Sequence, residues 1–429
     1  MTTTIDRSTA PLIRDIESIN LPLIGEYFLK NGVPLYMVAG GEQEVLKIEL
    51  LFDAGRWTEP LRAVASTTSK MLTEGTVNKT AQQIAETIDF YGASIHTDAS
   101  VDYASVTMYT LTKHLDHVLP VLQEIIYQPI FPERELVTYI QNSSQRLLIN
   151  MEKVDFLAQK IFNEQLYGRN HPNGYTTEAK DYSEINFKLL KDFHQSRYCS
   201  GLKMVFASGN VNESIIAKID NYFGGLYAKY FSPNNQNFTE VPASNVFQQK
   251  KDAVQSGIRI GKKMVNKLHP DYVSLRVLNT VLGGYFGSRL MQNLREDHGF
   301  CYGVHSGVSS YLHDAHLYIT TEVGDEVVWQ AVDEIYKEVN RLRTEMIPGE
   351  ELRLVKNYML GVFLADADGP FNVSDIVRGL KVYELKESFF YNMIEKIKSV
   401  TSEELLQLAV QYFDPGSMLE IVVGNNPRN

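Results

Sequence analysis

One long-range repetition constrains this chain more than any motif in it. The segment INFKLLKDFHQSRYCSGLKMVFASGN, from Ile185, lies over VTSEELLQLAVQYFDPGSMLEIVVGN, from Val400, at a constant offset of 215. Leu190 then meets Leu405, Tyr198 meets Phe413, Gly201 meets Gly416, and Gly209-Asn210 meets Gly424-Asn425, all without a gap. A second anchor stands at 216, where Pro132, Glu135 and Leu136 of PERELV meet Pro348, Glu351 and Leu352 of PGEELRLV. Each of these two matched segments opens a helix with proline in the first turn and acids near the positive end of the dipole. Two anchors at nearly one offset predict two copies of one domain.

The chain has 429 residues, enough for two domains that each bury a core. Between the copies, SPNNQNFTEVPASN at 232–245 has the Pro, Asn and Ser content of a linker. The expected division is residues 1–231, a linker over 232–249, and residues 250–429. In the first copy Thr80 caps a helix AQQIAETIDFY that Gly92 ends, with Ile84, Ile88 and Tyr91 at helical spacing. ASIHTDA and VDYASVTMYTL follow as strands, then KHLDHVLPVLQEIIY as a helix, then a long helix from Glu133. Strands cluster and helices cluster, so the expected class is α+β, with an antiparallel sheet packed against helices in each domain.

The formal net charge is −11 and no Lys/Arg run stands out, which argues against a nucleic-acid or anionic-membrane partner. Only Cys199 and Cys301 occur, too few for a disulfide framework and consistent with a reducing compartment. No apolar run has the length of a membrane span and the N-terminus lacks a signal-peptide core, so the expected location is cytoplasmic.

None of the ten histidines falls in H-E-x-x-H or H-x-x-E-H. His114 with His117, and His313 with His316, have a pairwise spacing that suits a metal, but without a third ligand they read as solvated or capping residues. GVHSG at 303–307 is not a nucleophile elbow, and the glycines of LGGYFGSRL match no phosphate-binding pattern. They read instead as a tight turn at Gly283, Gly284 and Gly287 before a helix near Ser288. The distinctive segment is SRLMQNLREDHGFCYGVHSG, residues 288–307. Here a helix with Leu290, Met291 and Leu294 inward ends near Gly299 and runs into a strand. That arrangement projects Arg295 from the last turn and Tyr302 from the strand start, two donors suited to a peptide carbonyl or carboxylate. The plain alternative for Arg295 is a surface residue that offsets the helix dipole.

The order LKNGVPLYMV, LFDAGRW, MLTEGT, YGASI, QPIFPEREL, LYGRNHPNGY and LGGYFGSRLMQNLREDHGFCYGVHS resembles the insulinase-type, or pitrilysin-like, zinc peptidases, including the processing peptidase subunits. The resemblance implies two similar α+β domains that together form a half-chamber for peptides, often paired with a second such subunit. In active members the helix before MLTEGT carries H-x-x-E-H. Counting back places its first His at Ser66, its Glu at Ser69 and its second His at Lys70, while the third ligand falls at Arg146. Zinc takes imidazole, thiolate or carboxylate ligands. At about 4 Å and an effective dielectric near 20, a divalent ion and one of these cations repel by roughly 8 kcal/mol.

The family's substrate-holding spacing L-R-x-x-x-G-x-x-Y is matched residue by residue at Arg295, Gly299 and Tyr302. The resemblance therefore implies a zinc-free subunit with no catalytic residue of its own, binding unfolded peptide through Arg295 and Tyr302. Zinc is expected in a partner that carries H-x-x-E-H. The alternatives are a structural subunit of the same fold and a free-standing enzyme with another site, for which the sequence offers no ligand set.

Overall fold

The computed structural model describes Ser8, residues 16–225, Phe238 and residues 244–428. The first half runs β1 (Gly25–Phe28), β2 (Pro34–Ala39), β3 (Val45–Phe52), α1 (Val64–Met71), α2 (Ala81–Phe90), β4 (Ser94–Ala99) and β5 (Ala104–Leu111). It continues with α3 (Leu115–Tyr127), α4 (Glu133–Met151), α5 (Val154–Tyr167), α6 (Ala179–Ser183), α7 (Phe187–Arg197), β6 (Leu202–Gly209) and α8 (Glu213–Phe223). The second half has β7 (Val246–Gln249), β8 (Gln255–Lys263), α9 (Tyr272–Gly283), β9 (Cys301–Ser310), β10 (Ala315–Gly324), α10 (Val328–Thr344) and α11 (Gly349–Asp366). Then come α12 (Pro370–Lys381), α13 (Ser388–Ser399), α14 (Ser402–Tyr412) and β11 (Leu419–Gly424).

The repeat read from the sequence is a repeat of topology. The sheets have the orders β1-β2-β6-β3-β5-β4 and β7-β11-β8-β10-β9. Setting β2, β6, β3, β5 and β4 over β7, β11, β8, β10 and β9 superimposes one connectivity on the other. The class is α+β, but neither sheet is wholly antiparallel. The last strand of each half returns from the helices to insert between β2 and β3 in the first sheet and between β7 and β8 in the second, so β2 pairs with β6, and β7 with β11, in parallel. The expected linker also needs correcting at its end, because Val246–Gln249 forms β7, a strand of the second sheet. Apart from Phe238 and residues 244–249, the rest of that linker lies outside the described residues.

Local chemistry explains the elements. Thr80 accepts from Gln83 N while Gln83 accepts from Thr80 N, a capping box that starts α2. Period-two burial along β5 places Val106 and Met108 on the core face. One face of each sheet packs on its own helices, around Leu50, Val118 and Ile125 in the first half and Ile319, Val332 and Ile335 in the second.

The other face of each sheet is covered by a helix from the opposite half. On the second sheet, α5 sets Val154, Leu157, Phe162 and Leu166 against Leu419, Ile421 and Val423. On the first, α12 sets Val373 and Val377 against Tyr36, Val38, Leu51 and Phe206. The two helices begin 216 residues apart, at Val154 and Pro370, so the exchange follows the repeat. Close approach needs glycine: a Cβ at Gly257 would stand 2.7 Å from the carbonyl oxygen of Val154 at the start of α5. Each half thus buries apolar surface that the other half alone would leave in water.

Candidate functional site

The positions that the resemblance assigns to zinc sit on α1, α4 and their surroundings. Ala63 precedes α1 in the left-handed region at φ 66°, and Glu59 takes the Ala65 amide at 2.9 Å and the Tyr175 phenol. Burial raises the Glu59 carboxyl to about 7 against those two hydrogen bonds. Thr67, Thr68 and Ser69 are fully buried, and Ser69 faces the phenol of Tyr198. Ser66 donates to the Ala63 carbonyl, and the Lys70 ammonium donates to the Thr97 carbonyl on β4. Arg146 is exposed on α4. These side chains do not fit zinc: Ser66, Ser69, Lys70 and Arg146 offer two hydroxyls and two cations, and the set contains no imidazole, thiolate or carboxylate. Among the described residues no group of three or more His, Cys, Asp or Glu is placed to hold a metal ion.

The histidine pairs have structural roles. His117 stacks on Tyr91 at 4.6 Å between ring centroids, with His114 at 5.3 Å from the same ring. His313 meets Trp57 edge-on, and His316 is buried against Tyr167 and Phe162.

In the second half the predicted pair comes together. Arg295 lies on a π-helical turn, Met291–Asp297, and Tyr302 is the second residue of β9. Met291 and Leu294 are buried, His298 N donates to Asn293 O five residues back, and Gly299 at φ 66° reverses the chain into the strand. Neighbouring helices hold the turn from both sides. Arg289 makes a bidentate ion pair with Glu351 of α11, at 2.8 and 2.9 Å. The Asn293 amide donates to Glu334 and Glu338 of α10 at 2.8 and 3.0 Å. The Arg295 guanidinium carbon stands 5.4 Å from the Tyr302 ring centroid and 4.7 Å from that of Phe286. Its nearest carboxylate is that of Glu296, at 3.6 Å. Tyr302 is 92 % exposed, so its phenol is open to an incoming group.

Phe286 was not read from the sequence as part of this site. Its signal was an exposed aromatic within a glycine turn, where neither packing nor turn geometry asks for a ring. Beside it Tyr285 packs at a tilt on Tyr358 of α11, with ring centroids 4.9 Å apart, which extends the aromatic surface. Chemically the arrangement offers a guanidinium steadied by two rings beside a free phenol, as donors to a backbone carbonyl or a carboxylate.

Comparison with known proteins agrees with this architecture. The model of the insulinase family (peptidase family M16) matches residues 41–172, and that of the peptidase M16 inactive domain matches residues 184–359. Together these two models of one family take in well over half of the chain, which belongs to the insulinase, or M16, peptidase family. A Bacillus subtilis protein described as an uncharacterized zinc protease, YmxG, is 25% identical over 415 residues, 94% of this chain and 100% of that protein. A Helicobacter pylori protein described as a non-peptidase homolog is 24% identical over 304 residues, 68% of each chain. The crystal structure of a peptidase M16 inactive domain from Pseudomonas fluorescens has the same fold, with a TM-score of 0.85 at 21% identity, covering 95% of this chain and 99% of that one.

Proposed function

We propose that this chain is the zinc-free subunit of a heteromeric M16 peptidase, holding an extended peptide for a partner subunit that carries the H-x-x-E-H helix. One observation carries the reading. The metal positions are filled by two hydroxyls and two cations, none of them suited to zinc, while Arg295 and Tyr302 stand together and open on a turn braced by two helices. A scaffold has no use for a guanidinium held ready between two rings beside a free phenol. Surface on α11 supports a partner: Leu354, Tyr358, Val362 and Leu364 are exposed large apolar residues on one helix. The description of the Helicobacter relative as a non-peptidase homolog agrees with a chain that does not hydrolyse peptides alone.

The test is reconstitution with a zinc-bearing family member. Arg295→Ala is expected to lower kcat/KM of the assembled complex by roughly tenfold to a few hundredfold, from a charged hydrogen bond of about 1.5–3 kcal/mol. Tyr302→Phe lowers it less, and Arg295→Lys is impaired because an ammonium lacks the planar fork. Assembly and thermal stability stay unchanged. Full activity in a correctly assembled double variant removes the peptide-holding role.

A further inference from the structure

A cavity of about 380 Å³ lies in the second half between α9, α11, α12 and α13, apart from the Arg295–Tyr302 surface. Its volume falls in the range of small-molecule pockets, roughly 300–1,000 Å³. Part of the wall is aromatic, from Phe363, Phe389 and Phe390. Into it come two cations, Lys267 from the loop before α9 and Arg276 from α9 itself.

Neither cation has a carboxylate partner among the described residues. The Lys267 ammonium donates to the Gly379 carbonyl at 3.1 Å and lies 4.8 Å from the Tyr383 ring centroid. The Arg276 guanidinium rests on Met393 Sδ at 3.7 Å and on the Phe363 ring at 5.6 Å. Of the two acids on the wall, Asp375 is engaged elsewhere, 2.7 Å from Lys47 and 3.3 Å from Arg378. Asp366 is exposed and makes no ion pair among the described residues. Burial first, and then the charge of Arg276, bring the Lys267 ammonium down to about 8. Two like charges facing one half-apolar cavity are costly, because buried cations are ordinarily paired. A bound anion removes that cost.

We infer that this cavity is a binding site for a small carboxylate with an aromatic body, its carboxylate held between Lys267 and Arg276 and its ring against Phe363, Phe389 and Phe390. A guanidinium fork beside an ammonium suits a planar carboxylate, and the rings supply the apolar remainder of the contact. The inference does not depend on the proposed role in peptide hydrolysis.

The experiment is calorimetric titration of the full chain with 3-phenylpropionate, with 3-phenylpropan-1-ol as the uncharged analogue. The expected result is saturable binding of the carboxylate with Kd of about 1 mM or tighter, and binding of the alcohol at least about tenfold weaker. Lys267→Met and Arg276→Met each weaken carboxylate binding about tenfold or more, while Lys267→Arg retains it. Circular dichroism and the Tm of each variant establish that it is folded, and Arg276→Lys replaces Arg276→Met should the latter not fold, with the same loss of the fork expected. No saturable binding of 3-phenylpropionate overturns the proposal, as does equal binding of the alcohol or unchanged binding in the folded cation variants.

Discussion

The helices α5 and α12 occupy equivalent surfaces of the two sheets, both through apolar contacts, and differ in the charged groups set among those contacts. Beneath α5 the contact is apolar and aromatic. The buried Arg259 of β8 lies 5.4 Å from the Phe162 centroid and 4.7 Å from that of Tyr318. Beneath α12 the first sheet presents Lys47 and Glu49 of β3, only 3 % and 1 % exposed. Lys47 meets Asp375 at 2.7 Å, Arg378 pairs with Glu49, and Arg378 stands 3.3 Å from Asp375. Burial of apolar area contributes stability in proportion to area, with little demand on geometry. A buried ion network returns little net stability once desolvation is counted, but it punishes loss of any one member. The α5 seam is therefore expected to contribute more net stability to the pairing of the halves than the ion network in the α12 seam does.

The largest effect is expected on the apolar side. Phe162→Ala removes a ring that is fully buried between α5 and the second sheet, and should cost about 3–5 kcal/mol in urea unfolding. Next comes Arg378→Ala, which leaves Glu49 buried with only Lys47 nearby at 3.7 Å. A loss of about 3 kcal/mol is expected. Replacing Lys47, Glu49, Asp375 and Arg378 together by apolar residues of similar volume should be nearly neutral. If the single and the fourfold replacement cost the same, the network contributes outright stability and the contrast between the seams fails.

Acid distinguishes the seams further. His316 lies under α5 with its Nδ1 2.9 Å from the Tyr167 hydroxyl, and burial first, then Arg259, hold its pKa down to about 3 from the usual 6.5. The folded protein keeps this imidazole neutral while the unfolded chain takes up a proton, so between pH 6.5 and 3 the unfolded state binds more protons. Stability associated with His316 is complete above pH 6.5 and falls by about 1.4 kcal/mol per pH unit below it. His316→Gln should flatten the decline between pH 6.5 and 5 in urea melts. An unchanged slope assigns the acid sensitivity to other groups.

How far this was legible in the sequence follows from what each feature depends on. The helix cap at Thr80, the strand read at 101–111 and found at 104–111, and the Arg295–Tyr302 spacing rest on neighbours within a few residues, and periodicity or local chemistry exposes them. The duplication was legible because glycine turns and helix starts recur at fixed positions. The exchange of α5 and α12 was not read, although it obeys the same offset of 216, because an apolar helix does not say which sheet it will cover. Lys47 and Glu49 lie on a strand whose alternation invites a solvent-facing reading, and only a helix from the other half makes them buried. In the site, Arg295 and Tyr302 were found through their spacing, whereas Phe286 comes from the glycine turn before the π-helical turn and meets Arg295 only in the folded chain.

The smallest effect sharpens the comparison most. Lys250, just after β7, pairs with Glu152 at 2.6 Å, immediately before α5. It is an ion pair of the same chemical kind as Arg378 with Glu49, and it also joins the two halves. The difference is solvent: Glu152 is 77 % exposed and Glu49 is 1 % exposed. An exposed carboxylate that loses its cation is rehydrated, so Lys250→Ala should cost less than about 1 kcal/mol and the loss should shrink further in 0.5 M salt. A buried carboxylate has no such recourse, and the cost of Arg378→Ala should be nearly independent of salt. Urea melts of both variants at low and high salt measure the two numbers. Equal costs, or equal salt dependence, show that chain connection between the halves and not burial sets the worth of these pairs.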